Sequence, residues 1–275
     1  MGPGAVVLDA TVGLGGHAEA LLEAAGPTGQ LIGIDRDPEA LEQAQVRLKR
    51  FQEQMKLIHA SFGQLAVVLE ELGVRQLDAA LFDLGVSSFQ LETAQRGFSF
   101  LREGPLDMRM DITQGRSAAE IVNRLSAHEL ADIIRQLGQE RWASRIARAI
   151  VKHRPFSTTT GLAEVIQQAV PGQGRTYRIH PATRTFQAIR IAVNQELDLL
   201  PQGLHQAIER LKSGGRIAVL AYHSLEDRIV KTLFKEKAAA GALEILTRKP
   251  IRPSPEEVGR NVRSRSARLR IGQKR

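Results

Sequence analysis

Short apolar runs alternate with amphipathic stretches through the first third of the chain. Ala5-Val6-Val7-Leu8-Asp9 is followed by a helical period over 17–25, then by Leu31-Ile32-Gly33-Ile34-Asp35 and a helical 38–53. The alternation continues through Lys56-Leu57-Ile58-His59, a helix near 62–72, and Leu77-Asp78-Ala79-Ala80-Leu81-Phe82-Asp83. Each run is short and nearly all apolar, as a strand buried on both faces is, so the pattern predicts a parallel sheet with helices on both sides.

The rhythm breaks after Asp83. From about Gly97 to Arg184 the chain reads as loop and helices, with Ser117 and Ser126 placed as caps three residues before Glu120 and Glu129, and a longer helix over 139–153. The alternation resumes with a helix over 186–212, the stop signal Ser213-Gly214-Gly215, a strand Arg216–Tyr222, a helix over 225–237, and strands near 243–247 and 266–271. The Pro-rich stretch from Arg248 to Pro255 reads as extended. The expected organisation is an α/β sheet domain formed by residues 1–96 and 185–275, interrupted at 97–184 by a helical insertion that is a candidate RNA-binding domain.

Charge sharpens this picture. The net +8 is segregated: −7 over residues 1–95, +7 over 96–190, 0 over 191–247 and +8 over 248–275. Such a distribution points to a polyanionic partner. Aromatic residues are only 4% of the chain, which favours recognition of a nucleic acid through shape and phosphates over a stacking platform. There is no cysteine, so disulfides, thiolate metal sites and thiol nucleophiles are excluded, and the seven histidines have no paired metal-ligand spacing. No metal is expected. With no apolar run of ~18 residues and no basic-then-apolar leader, the expectation is a soluble, cytoplasmic protein without a membrane partner.

The run Asp9-Ala10-Thr11-Val12-Gly13-Leu14-Gly15-Gly16-His17 lies between a strand and a helix. Glycines there allow positive φ and close backbone approach to a ligand, and the helix start offers unpaired N–H groups. Asp35, at the end of the second strand, stands where a carboxylate accepts ribose hydroxyls. Gly13, Gly15 and Ala18 also satisfy a dinucleotide fingerprint, so NAD is one reading. S-adenosylmethionine is favoured, because Asp9 opens the loop and a carboxylate suits a cationic amino-acid end but repels a pyrophosphate. Asp83, at the end of the fourth strand, points to the same crevice. It can accept N–H bonds from an amine and free its lone pair for in-line attack, or hold the cofactor's ammonium.

On the substrate side, Arg141, Arg145, Arg148 and Lys152 recur at i, i+4, i+7 and i+11, beside an apolar stripe of Trp142, Ile146, Ala149 and Ile150. A basic helical face of this kind can bind successive phosphates. His180, Arg184 and the group Tyr222-His223-Ser224 are further candidates, Tyr222 or His223 for holding an unstacked base. Asp107, Arg109 and Asp111 alternate charge in a loop and could form a salt-bridged hinge.

Six strings carry a resemblance. They are Asp9-Ala10-Thr11 through Gly15-Gly16-His17, Asp83-Leu84-Gly85-Val86-Ser87-Ser88, Gly104-Pro105-Leu106-Asp107-Met108-Arg109-Met110-Asp111 and His180-Pro181-Ala182-Thr183-Arg184-Thr185-Phe186-Gln187-Ala188. The other two are His223-Ser224-Leu225-Glu226-Asp227-Arg228-Ile229-Val230-Lys231 and Arg263-Ser264-Arg265-Ser266-Ala267-Arg268-Leu269-Arg270. In this order, across nearly the whole chain, they resemble the bacterial small-subunit ribosomal RNA cytosine-N4 methyltransferases, the RsmH or MraW family. The resemblance implies a class I, Rossmann-like methyltransferase sheet with a helical insertion, and methylation of the N4 amine of a decoding-centre cytosine in 16S ribosomal RNA, free or in the 30S particle. It implies cofactor contacts at Gly15, Gly16, His17, Asp35, Phe62, Asp83 and Gln90. Two departures are expected: the family's N-terminal segment with a His-x-Pro-Val motif is lacking before the first strand, and Asp83-Leu84-Gly85-Val86 has none of the prolines or the aromatic ring of amino-methyltransferase acceptor loops. The rival readings are an NAD-dependent oxidoreductase and a non-catalytic RNA-binding or ribosome-assembly protein that keeps the fold.

Overall fold

The computed structural model describes residues 2–171 and 179–275; residues 172–178, inside the expected insertion, lie outside the described residues. The chain divides into two compact units, one of residues up to Gly85 with Leu197–Arg275, the other Val86–Glu196.

In the first unit the strands are β1 Val6–Asp9, β2 Gln30–Asp35, β3 Met55–His59, β4 Leu77–Asp83, β5 Leu211–Ala221, β6 Leu243–Ile245 and β7 Arg268–Lys274. They form one sheet in the order β3-β2-β1-β4-β5-β7-β6, parallel from β1 to β5, with β7 antiparallel to both β5 and β6. Helices α1 Gly16–Ala25, α2 Pro38–Arg47 and α3 Leu65–Glu71 follow the first three strands. Successive strand side chains point to opposite faces. Accordingly Val7 and Leu31 pack with Leu22, Leu41 and Leu48 on one side, and Leu8 and Ile32 with Leu204, Ile217 and Phe234 on the other. Both faces of β1 and β2 are buried, which is why these strands carry no polar alternation.

The second unit holds α4 Ser88–Glu92, α5 Ala118–Arg124, α6 Ala127–Gly138, α7 Ala143–Lys152, α8 Thr159–Ala169 and α9 Ala182–Asn194 around a core that includes Met108, Leu130, Ile146, Leu162 and Phe186. Ser117 and Ser126 close capping boxes with Glu120 and Glu129. The string from Gly104 to Asp111 is a pinned loop. Arg96 donates to the carbonyls of Arg109 and Met110, Asn194 bonds the backbone of Met108 and Met110, and Arg109 makes a two-bonded ion pair with Asp107. The chain then runs on through α10 Glu196–Arg210, α11 Ser224–Ala239 and α12 Pro255–Arg260.

Several sequence expectations are corrected. The helix over 38–53 ends at Arg47, because Leu48 leaves helical geometry with its side chain fully buried, and continues as a 3-10 helix Lys49–Gln54. The helix near 62–72 starts with a 3-10 turn, Phe62–Gln64, capped by Ser61. The helix over 139–153 begins only at Ala143, since Gln139 takes a left-handed φ of 51° that ends α6. The helix over 186–212 is two helices, broken at Gln195 with φ 50°. The tail is extended only as far as Ser254, whose side chain caps α12 with Pro255 in its first turn. Among the described residues no helix is long and apolar enough to cross a membrane.

Candidate active site

After β1 the chain turns through Gly13 (φ 52°) and Gly15 (φ 81°), left-handed conformations that L side chains resist. α1 then starts at Gly16 with Gly15 as its cap and no capping side chain, so its first N–H groups have no side-chain acceptor from that cap. Asp35 ties this loop to β2: its Oδ2 accepts the Gly13 N–H at 2.7 Å and its Oδ1 the Asp37 N–H at 2.9 Å.

Three carboxylates meet at the carboxyl ends of adjacent strands. The register pairs Asp9 with Gly33 of β2 and Leu81 of β4, so Asp35 and Asp83 each stand two residues beyond it on either side. Asp9 is fully buried. Its Oδ1 accepts the Thr11 N–H at 3.1 Å and its Oδ2 has no partner. Burial pushes its pKa up to about 7, with the charges of Asp35 and Asp83 adding to the rise against the Thr11 bond. Burial also raises Asp35, opposed by the bonds it accepts from Asp37 and Gly13. An unpaired buried carboxylate oxygen between two more carboxylates favours a cation and repels an anion.

Asp83 is held from three sides. Its backbone N–H donates to Thr11 Oγ1 at 2.7 Å, its Oδ1 accepts the Tyr222 hydroxyl at 2.9 Å, and its Oδ2 lies 3.5 Å from Nδ1 of the half-exposed His17. Burial raises the Asp83 pKa, His17 and the Tyr222 hydroxyl pull it back, and the Glu226 charge adds to the rise. Tyr222 in turn is pushed well above the usual phenol range by burial and by Asp83, so it stays a donor. Glu226 is buried and its Oε2 accepts the N–H groups of Tyr222 and His223 at 2.8 and 3.1 Å, fixing the turn into α11. Sequence reasoning missed Glu226 and Thr11. Glu226 had a signal, being the third helical residue of α11 after the His223 cap.

The other candidates fall as follows. Phe62 is half-buried, edge-on to Phe82 at 5.9 Å between ring centres, with Gly203 so close that a Cβ there would meet the Phe62 ring. His223 caps α11 through Nδ1, which accepts the Glu226 N–H at 3.3 Å. Tyr222, expected to hold a base, spends its hydroxyl on Asp83. In the second unit, Gln90 is a buried capping-box residue bonded to Ser87. Arg145, Arg148 and Lys152 lie exposed on α7, whereas Arg141 precedes the helix and sits 5.1 Å from the centre of the Trp142 ring. His180 is exposed, accepts the Ala182 N–H and stacks near Phe100; Arg184 donates to the Gln139 carbonyl at 3.3 Å. Among the described residues no group of three or more His, Asp or Glu side chains is arranged to hold a metal ion.

A parallel sheet in the order β3-β2-β1-β4-β5-β7-β6 with an antiparallel β7, a glycine turn after β1 and acidic residues ending β1, β2 and β4, is the architecture of the class I methyltransferases. A solved structure agrees on the fold: the crystal structure of a protein from Clostridium thermocellum, provisionally described as an rRNA methylase, aligns with TM-score 0.50 at 13% identity over 100% of this chain and 91% of its own. The MraW methylase family matches residues 1–275. Ribosomal RNA small subunit methyltransferase H of Trichlorobacter lovleyi is 52% identical over 99% of this chain and 93% of its own length. The protein of the same name from Halothermothrix orenii is 44% identical over 98% and 92%. The chain belongs to the MraW methylase family, and it is a methyltransferase.

Proposed function

We propose that this protein moves a methyl group from S-adenosylmethionine to the N4 amine of a cytosine in small-subunit ribosomal RNA. The observation that carries the reading is Asp9, buried, with one oxygen unpaired between Asp35 and Asp83. That is a place for a cation, and the α-ammonium and the sulfonium of this cofactor are cationic. The bound cofactor supplies an electrophilic methyl carbon. Asp35 accepts the ribose hydroxyls while keeping the glycine turn in place. Phe62 walls the adenine, and Gly15, Gly16 and His17 complete the cofactor contacts of the first unit. Neither a dinucleotide oxidoreductase nor a non-catalytic protein is favoured by membership in a methylase family.

Asp83 accepts an N–H bond from the acceptor amine, which turns the nitrogen lone pair toward the methyl carbon. As the N–C bond forms and the S–C bond breaks, the amine sheds one proton to Asp83, whose raised pKa makes it a better acceptor than an ordinary carboxylate. The Tyr222 hydroxyl holds that carboxylate in one orientation throughout. In the second unit Arg141, Arg145, Arg148, His180 and Arg184 hold the RNA, with the insertion expected at 97–184 as the RNA-holding domain, and in the first unit His223 is the RNA contact. On this reading the protein works on small ribosomal subunits in the cytoplasm.

Calorimetric titration of the purified chain tests the cofactor: S-adenosylmethionine binds in the micromolar range and NADH gives no heat, and the reverse result overturns the reading. Transfer of labelled methyl to small-subunit particles tests the acceptor. Asp35→Ala is expected to weaken cofactor binding about 100-fold, the size of two lost charge-assisted hydrogen bonds, with RNA retention unchanged. Equal loss of both would count against separate cofactor and RNA surfaces. Neutralising Arg141, Arg145 and Arg148 together is expected to weaken RNA binding and flatten its salt dependence by about 2 in log–log slope. An unchanged slope would assign those side chains to solvent.

A further inference from the structure

Residues 248–275 carry ten Lys and Arg against Glu256 and Glu257, and six of these cations fall into two contrasting groups. Arg268 and Arg270 are spent inside the fold, bridging Asp227 at 3.2 and 2.7 Å, and Arg275 lies 3.9 Å from Glu244. Arg252, Arg260 and Arg265 are exposed, and among the described residues their side chains make no ion pair or hydrogen bond.

The sheet register fixes where this second group sits. Arg268 opens β7 opposite Ala221, the last residue of β5; Leu269 stands opposite Leu220, and Leu220 opposite Asp83. Ile251 also pairs with Leu269. The chain between Ile251 and Arg268 therefore leaves and rejoins the sheet at the carboxyl end, where Asp83 lies. Glu257 in α12 is close enough for its charge to act on the Tyr222 hydroxyl.

This segment is a built turn. Ser264 is buried and donates its hydroxyl to the Asn261 carbonyl at 2.8 Å, while the Asn261 side chain accepts the Arg263 N–H at 3.2 Å. Burying Ser264 displays Arg263 and Arg265 on either side of it. Val262 and Ile251 stand 61% and 52% exposed in the same stretch, so arginines alternate with bare apolar side chains. A merely solvated face gains nothing from such apolar exposure, whereas a nucleic-acid strand offers phosphates to the first and sugar or base faces to the second.

We propose that Arg252, Arg260 and Arg265, with Val262, form an RNA-docking surface on the sheet unit itself, which grips backbone phosphates next to the target nucleotide at the carboxyl end of the sheet. The proposal rests on the reading of the protein as an RNA methyltransferase. In open α/β sheets the ligand sits beyond the carboxyl ends of the strands, so an acceptor strand that reaches Asp83 comes to the same end of the sheet as this rim. The arginines lower KM for the RNA and leave the methyl-transfer step alone.

The test is the variant R252Q/R260Q/R265Q, assayed for methyl transfer and for binding of small-subunit ribosomal RNA over a range of salt, with S-adenosylmethionine titration as the control for an intact fold. Expected are a KM and Kd for RNA raised roughly 10- to 100-fold, a salt slope flatter by about 2, and an unchanged cofactor Kd. RNA affinity and slope equal to the parent's, with cofactor binding intact, would overturn the proposal. A parent chain that binds the cofactor but neither binds nor methylates the RNA would overturn the underlying function and this surface together. Should the triple variant lose cofactor binding, Arg265→Lys and Arg265→Glu decide: the parent slope with Lys and a flatter one with Glu support the surface, and equal slopes sink it.

Discussion

Asp83→Asn is expected to lower kcat by about 100- to 1000-fold while leaving the affinity for S-adenosylmethionine within a few-fold of the parent. The amide is nearly isosteric, and its oxygen still accepts the Tyr222 hydroxyl, so the loop keeps its shape. What disappears is the negative charge and the second acceptor oxygen, the one 3.5 Å from His17, that take the amine's N–H and then its proton. The pH profile carries the same signature. Burial raises the Asp83 pKa, so kcat of the parent climbs as pH rises through that raised value and the base ionises, and the Asn variant loses this limb. Single-turnover methyl transfer beside a cofactor titration separates the outcomes. A variant with parental kcat and weakened cofactor binding would make Asp83 the anchor of the cofactor's ammonium instead.

How far the sequence reaches depends on where the controlling interaction lies. β4 was legible to the residue, Leu77–Asp83, because an apolar run bounded by polar residues needs no partner to be recognised. The caps at Ser117 and Ser126 were legible because their acceptors are three residues away. The break between α9 and α10 was not, since it depends on a single non-glycine residue, Gln195, taking a left-handed turn inside an unbroken helical period. The helical placement of Arg141 was not legible for the same reason: Gln139 turns the chain, and the helix that the spacing of the arginines implied starts only at Ala143. The adjacency of the acidic ends of β1, β2 and β4 was legible from the alternation of strands and helices. The clamp on Asp83 was not, because Thr11 and Tyr222 stand 72 and 139 residues from it and only the sheet order brings them together.

Asp9 tests whether the fold gives up stability for its cation site. Its carboxyl has a pKa of about 7 when folded against 3.8 as a free side chain, so the folded state binds this proton more tightly than the unfolded state does. The sign follows: the contribution is fully present below pH 3.8, drains away between 3.8 and about 7, and is absent above. At pH 8 the ligand-free protein therefore carries a charge-burial cost of about 4 kcal/mol, about three pKa units at 1.36 kcal/mol each. Asp9→Asn keeps an oxygen for the Thr11 N–H and removes the charge. The variant is expected to be more stable than the parent by several kcal/mol in urea at pH 8, with the difference shrinking to less than half by pH 5. A gap of equal size at both pH values would mean that the carboxylate is not the source. Binding must show the mirror image: a cationic ligand favours ionised Asp9, so the parent releases a proton as it takes up S-adenosylmethionine below pH 7 and binds it more tightly as pH rises. The Asn variant binds it more weakly and releases no proton there, because the instability of the empty site and its affinity for the cation come from the same unpaired oxygen.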